Sequence, residues 1–236
     1  MQDLPHKRVF DRGLQIGSLC LVALAILFVG QLVAQMGTTA PYSASHQAIS
    51  ELGITSCGTF QQPQTGDRVF VCSPLHLVMN GTFVLYGALI MLAAMLAIRP
   101  QWPGRRMRLA GLGLIFFGGI EAIVSGFSPL DVAPFLHTLS GGLAIGALDV
   151  GLVLLGFAAV RTRRVMGGFA LLCGMAGLVG MVLSSTAPYP GLGYGGWERV
   201  AGFAFAVWGI AMGAYWLSHP ATSEAASTVR STRPPG

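Results

Sequence analysis

Long apolar stretches alternate with short polar segments along most of the chain. Six stretches of about 18 to 25 residues are each long enough to cross the roughly 30 Å hydrocarbon core of a bilayer as a helix. They cover residues 14–36, 75–98, 109–127, 138–160, 165–186 and 200–217. The pattern predicts an all-α fold, a polytopic membrane bundle of six transmembrane helices.

The same pattern divides the chain into two tails and one domain. Residues 1–13 form the predicted N-terminal tail, and residues 14–217 form the six-helix domain. Residues 218–236, "SHPATSEAASTVRSTRPPG", are polar and rich in small residues, which is typical of a disordered tail. Composition agrees with a membrane protein, because 53% of the residues are hydrophobic and only 10% are charged.

The predicted loop between the first two helices, residues 37–74, is too long for a simple turn. Residues 45–53 place Ile49 and Leu52 on one side and end at a glycine, which predicts a short helix. A turn at residues 63–66 and an extended "RVFVC" follow. The loop also holds Cys57 and Cys72, for which we predict a disulfide on an oxidising side of the membrane, worth about 3 kcal/mol for a loop of about 15 residues.

Positive charge is concentrated on one side of the predicted bundle. Lys and Arg residues precede helix 1, fill the loops between helices 2 and 3 and between helices 4 and 5, and recur in the C-terminal tail. This bias predicts cytoplasmic termini and outward-facing loops at residues 37–74, 128–137 and 187–199, in the cell membrane. The net charge of +5 could suggest nucleic acid, but its distribution indicates the lipid bilayer as the partner and no nucleic acid. The first stretch exceeds a signal-peptide h-region, so we expect it to stay uncleaved.

The candidate functional residues are polar groups in or beside the membrane. Sequence motifs for known cofactors or catalytic classes are absent or lie in the wrong structural setting. The sequence "GLGYGG" matches a dinucleotide fingerprint in letters, but it lacks the required strand-turn-helix setting. Polar groups in a bilayer are costly and are therefore functional candidates. The candidate pocket residues are His46, Ser50, Glu51, Asn80, Glu121, Ser125, Asp131, His137, Glu198 and Arg199.

Each candidate also has a structural alternative. Of the pocket predictions, those for His46, Glu121 and His137 are the strongest, although Glu121 suits a protonated interhelical carboxyl equally well. Asp149, deeper in the fourth helix, is expected to be structural. Arg199 is expected to pair with a carboxylate of Glu51, Asp131 or Glu198, since its forked guanidinium suits one. Catalytic and metal-binding roles are not assigned.

Several short motifs resemble the prokaryotic integral membrane family called domain of unknown function 998. They are "SHQAISELG", the cysteine-containing loop after it, "PLHLVMNGTFVLYG", "GFSPLDVAPFLHTLSGG" and "GWERV". The matching positions are Ile49, Ser50, Glu51, Leu52, Gly53, Asn80, Pro129, Asp131, His137, Glu198 and Arg199. The resemblance spans roughly residues 14–217 and implies a six-helix bundle without a settled activity. All the motifs fall on the predicted outer side, which favours a site there.

Three functions fit this arrangement. In the first, the outer ends of the helices bind a lipid headgroup or a small polar ligand, with His137 and Arg199 as anion contacts. In the second, an intramembrane enzyme acts on lipid, with His137 or Glu121 as general base and Asp131 or Glu51 orienting it; His46, Asp131 and His137 are the candidate metal ligands. In the third, the polar cluster only fixes the loop to the bundle. The deciding observation is whether these groups surround a cavity.

Overall fold

The fold is a bundle of six long apolar helices, as predicted. In the computed structural model, which describes residues 12–62 and 65–219, six helices are long and apolar enough to span a membrane. They are α1 (Arg12–Met36), α2 (His76–Gln101), α3 (Arg105–Phe127), α4 (Pro134–Ala159), α5 (Arg164–Ser185) and α6 (Gly193–Ser218). The predicted tails fall almost wholly on residues 1–11 and 220–236, outside the described residues.

Three helices, α3, α4 and α6, begin at least four residues earlier than the apolar pattern predicted. Helix α4 begins at Pro134. Proline suits the first position of a helix, because an N–H at that position would have no partner within the helix. Helix α6 begins at Gly193, in a glycine-rich stretch that hydropathy alone assigned to a loop. The backbone N–H of Gly195 donates to the carbonyl of Ser45, 2.9 Å away. The residues between the predicted and the observed starts, including His137, Glu198 and Arg199, therefore lie on helices.

Two spans are locally irregular. Helix α1 is interrupted between Ala23 and Ile26, where the N–H of Leu24 bonds to the carbonyl three residues back. Helix α2 passes through a π-helical turn at Ala94–Ile98 before its last residues. Wider turns of this kind are uncommon within α-helices.

The six helices form a closed ring in sequence order. Each packs on the next, and α6 returns to pack on α1. Glycines allow these contacts: a Cβ on Gly87 of α2 would lie 2.3 Å from the carbonyl oxygen of Gly119 on α3. Gly213 of α6 approaches the carbonyl of Ser18 on α1 in the same way. Small residues permit such approach where lipid removes the hydrophobic drive between helices.

One end of the bundle carries the connections 37–75, 128–133 and 186–192, and we call it the loop end. The first connection holds a 3-10 helix at Ile49–Gly53, so only the last part of the helix predicted for residues 45–53 forms. It also holds two strands, β1 (Gly58–Gln61) and β2 (Arg68–Val71), which pair antiparallel with Gly58 opposite Val71. The extended β2 was predicted, whereas β1 was not. The turn predicted for residues 63–66 falls partly outside the described residues.

The predicted disulfide is confirmed. Cys57 and Cys72 are bonded to each other immediately beside the first pair of the hairpin. The two remaining cysteines, Cys20 and Cys173, are free and buried in helices, as expected for packing residues. The disulfide therefore closes the hairpin and holds its base next to the start of α2.

Candidate functional site

A cavity of about 240 Å³ opens between the helices at the loop end. Its wall is largely apolar, with Phe83, Ala144 and Ile145 among the lining residues. Residues 42–55, which we call the lid, contribute Ile49 and Ser50 to the same wall. The polar lining residues in the described part of the chain are Ser50, Tyr86, Ser125, His137, Thr138, Ser184, Ser185, Tyr194 and Glu198.

His137 lies on the first turn of α4 and is held by the end of α3. Its Nδ1 is 2.8 Å from the carbonyl oxygen of Ser128 and 3.1 Å from that of Ser125. The last carbonyls of a helix have no partner within it, so His137 caps α3 by donating from Nδ1. In the neutral ring this leaves Nε2 as a hydrogen-bond acceptor. His137 is buried in the protein and lines the cavity.

Glu198 joins the cavity wall to the lid. Its Oε2 accepts a hydrogen bond from the backbone N–H of Ile49 at 2.9 Å. This bond satisfies an N–H at the start of the short 3-10 helix, where intrahelical partners are missing. Ser50 follows on the lid, so the lid reaches the cavity at the point where Glu198 holds it.

Glu51 has a different position, although it adjoins Ser50. It is 3% exposed, and its carboxylate accepts three hydrogen bonds: from Gln62 Nε2 at 2.6 Å, from Gln47 Nε2 at 2.9 Å and from the Ala48 N–H at 3.0 Å. These donors belong to the lid and to the residue just after β1. Glu51 is not among the lining residues of the cavity. Its carboxylate instead fixes the lid to the hairpin.

Arg199 binds the lid from α6. Its Nη1 donates to the carbonyls of Ala44 at 2.7 Å, Gly195 at 2.8 Å and Gln47 at 2.9 Å, and its Nη2 bonds to the hydroxyl of Tyr42. The guanidinium also lies 5.7 Å from the centre of the Tyr42 ring. A carboxylate partner was predicted, but none is among these acceptors. The reason is that the lid turns a row of backbone carbonyls toward α6.

Two further residues hold the lid. The Asn80 side chain on α2 donates to the carbonyl of Gly53 at 2.8 Å. Asp131, in the connection between α3 and α4, accepts from the backbone N–H and the hydroxyl of both Thr55 and Ser56 at 2.8–3.2 Å. Partial burial raises the pKa of Asp131, but these hydrogen bonds outweigh it and hold the pKa below its ordinary value.

We call Glu51, Asn80, Asp131 and Arg199 the lock, because each bonds the lid or its neighbours without lining the cavity. A separate group of predicted residues, Ser50, Ser125, His137 and Glu198, lines the cavity. The two remaining predictions lie elsewhere. His46 is exposed, and its Nδ1 bonds to the hydroxyls of Ser43 and Ser45. Glu121 is half-buried on α3 and does not line the cavity.

Sequence reasoning missed several polar residues of the site. Tyr194, Ser184 and Ser185 were overlooked because Tyr194 falls in the supposed loop before α6 and serines are common in membrane helices. Gln47 and Gln62, the donors to Glu51, carry no charge and stood out in no motif. A helical projection of α4 could have identified Thr138, since it adjoins His137 and lies one turn before the cavity-lining Gly142.

Asp149 lies deeper in the bundle than the cavity-lining part of α4. It is 1% exposed, and neither carboxylate oxygen has a hydrogen-bond partner. Gly177 on α5 makes room for it, because a Cβ there would lie 2.3 Å from the carboxyl atoms. The Tyr86 hydroxyl, also buried, has no partner either. Asp149 is therefore a packed interhelical carboxyl rather than part of the cavity wall.

The arrangement offers no carboxylate to orient the His137 ring, since Nδ1 is directed at backbone carbonyls. Two of the three side chains considered as metal ligands bond to other groups. His46 bonds to the hydroxyls of Ser43 and Ser45, and Asp131 accepts from Thr55 and Ser56. Among residues 12–62 and 65–219, no group of three or more His, Cys, Asp or Glu residues is placed to hold a metal ion.

Fold and composition together define a multi-pass membrane protein with a lid-covered cavity at one end of the bundle. The chain belongs to the family described as "Protein of unknown function (DUF998)", whose model matches residues 21–215. This confirms the family indicated by the sequence motifs. No curated protein and no solved structure matches the chain.

Proposed function

We propose that the protein binds a lipid headgroup or a small polar ligand in the cavity at the loop end. The observation that carries this proposal is the cavity itself, which remains open although the lock ties the lid to the bundle. A polar cluster that served only to fix the loop would leave no space lined by Glu198, His137 and Ser125. The structural role predicted as an alternative accounts for the lock residues, whereas Glu198 both bonds the lid and lines the cavity.

The cavity's size and lining limit the kind of ligand. At about 240 Å³ it lies just below the range of roughly 300–1,000 Å³ typical of pockets for whole small molecules. A headgroup or a compact solute fits this space, whereas a complete phospholipid does not. Apolar walls with a few converging polar groups are the usual construction of such sites. The acyl part of a bound lipid would remain in the bilayer.

The proposal includes an orientation in the cell membrane, with both termini cytoplasmic and the cavity facing outward. The support is the excess of arginine in the connections opposite the loop end. Leu192 and Arg161 are exposed at opposite ends of the bundle. In intact cells, an impermeant maleimide is expected to label Leu192→Cys at once and Arg161→Cys only after permeabilisation. The reverse order of labelling would contradict this orientation.

Filling the cavity should weaken ligand retention. Gly142 lines the cavity, and a Cβ added there meets no atom within 4 Å, so Gly142→Leu places a side chain in the open space. The matched control is Gly113→Leu on α3, where a Cβ also meets nothing but the position is exposed on the outside of the bundle. Both changes replace a helical glycine by the same residue.

The measurement is native mass spectrometry of protein incubated with phosphatidylethanolamine, phosphatidylglycerol and cardiolipin. Wild type and Gly113→Leu are expected to retain one lipid. The affinity of Gly142→Leu for that lipid is expected to be about tenfold lower, which corresponds to a loss of roughly 1.4 kcal/mol of binding free energy. Loosely bound lipid around the bundle should be equal in all three. Equal retention by all three proteins would refute a lipid ligand in the cavity.

A further inference from the structure

We infer that the cavity selects an organic cation, a ligand carrying an ammonium group on a small apolar body. This inference rests on the proposed function and specifies its ligand class. The first support is the set of ionisable side chains in the wall: among the described lining residues, Glu198 is the only acidic one, and no lysine or arginine lines the cavity. An anion would therefore find an acidic side chain in the wall and no cationic one.

Arg199, the next residue along α6, interacts electrostatically with the Glu198 carboxyl but does not line the cavity. It is absent from the lining, and its Nη1 and Nη2 donors are directed to the lid carbonyls and Tyr42. Its role as an anion contact, expected from the sequence, would require it to leave these acceptors. The guanidinium therefore contacts the lid, whereas Glu198 contacts the lid and also lines the cavity.

Hydrogen-bonding capacity points the same way. Glu198 uses only Oε2 in bonding the lid, through the Ile49 N–H, and so retains acceptor capacity. His137 donates from Nδ1 and presents Nε2 as an acceptor. An ammonium group is a donor without acceptor capacity, and it matches these two acceptors better than a phosphate does.

Aromatic rings complete the site. Phe83, Tyr86 and Tyr194 all line the cavity. The faces of such rings attract cations within about 6 Å, and carboxylate-aromatic combinations are a common way to recognise ammonium groups. Helix dipoles do not oppose this preference, since three helices begin and three end at the loop end, so that their terminal charges largely cancel.

The test compares three probes with the same six-carbon chain: hexylamine, hexyl phosphate and hexanol. The purified protein in dodecyl maltoside is titrated with each probe, and the thermal midpoint is followed. Hexylamine is expected to raise the midpoint saturably in wild type and in Gly113→Leu, but not in Gly142→Leu. Glu198→Gln, which keeps an oxygen to accept from Ile49, is expected to weaken the apparent affinity about tenfold, as for loss of a charge-assisted hydrogen bond.

The outcomes test the ligand class and the location of the site separately. Equal binding of hexyl phosphate or hexanol, or equal binding of hexylamine to Glu198→Gln, overturns the cation inference. Binding sensitive to Gly142→Leu would in those cases still support the proposed cavity site. A complete absence of saturable hexylamine binding also overturns the cation inference, whereas the proposed site stands or falls on lipid retention by the Gly142→Leu and Gly113→Leu pair.

Discussion

Replacement of Arg199 by alanine is expected to lower the free energy of unfolding by about 3 kcal/mol. The change removes a charged donor from three backbone carbonyls and from the Tyr42 hydroxyl in a partly buried position. Each hydrogen bond to a charged group contributes about 1.5–3 kcal/mol, and water entering the space recovers part of the total. For a chain of this size, the thermal midpoint should fall by roughly 6–12 °C.

The control for Arg199→Ala is Arg161→Ala, which removes the same side chain from an exposed position between α4 and α5. A surface substitution of this kind is expected to change stability by less than about 0.5 kcal/mol. A further comparison is Arg199→Lys, which keeps the charge but loses the fork, and it should recover only part of the stability. An unchanged midpoint in Arg199→Ala would show that Arg199 does not hold the lid.

Replacement of Glu51 by glutamine is expected to lower the free energy of unfolding by about 2 kcal/mol. The carboxylate accepts from Gln47, Ala48 and Gln62, so an amide at this place directs its own N–H groups at a donor. One buried donor is then left unpaired, which costs about 1–3 kcal/mol. Asp67→Asn, an equivalent change at an exposed carboxylate in the same connection, is the control and should leave the thermal midpoint unchanged.

Much of the fold could be predicted from the sequence because hydropathy acts on long segments. Six apolar runs gave the six helices, and two cysteines in one connection gave the disulfide. The starts of α3, α4 and α6 were missed, since the arginines after Gly104, Pro134 and the glycines after Gly191 are typical of loops. Contacts with the lid, such as that of Gly195 with Ser45, stabilise the first turns of α6 and leave no mark on hydropathy.

The candidate site was predictable only as a collection of residues. Neighbours in sequence act separately: Ser50 lines the cavity while Glu51 belongs to the lock. Glu198 and Arg199 divide in the same way, because successive residues on a helix point about 100° apart. Which face of α6 meets the lid depends on how residues 42–55 fold, and that path is set by hydrogen bonds distant in sequence. Spacing alone therefore could not separate lock from cavity.

The lock also affects ligand binding, although its residues do not line the cavity. The lid is bonded to α2 through Asn80, to α6 through Arg199 and to the connection after α3 through Asp131. A lid held on three sides keeps the roof of the cavity in place before a ligand enters. Preorganisation of this kind reduces the entropy lost on binding. The lock thus supports the proposed site without contacting the ligand.

The most direct test of this division is the thermal midpoint of Glu198→Gln measured beside that of Glu51→Gln in the absence of ligand. Glutamine at position 198 keeps the acceptor for Ile49 and replaces an ionisable group in the cavity wall by a neutral one, so the midpoint should stay at or above that of wild type. Glu51→Gln should fall by roughly 4–8 °C. An equal fall in both variants would show that the Glu198 carboxylate holds the lid as that of Glu51 does, and would contradict the separation of the lock from the cavity.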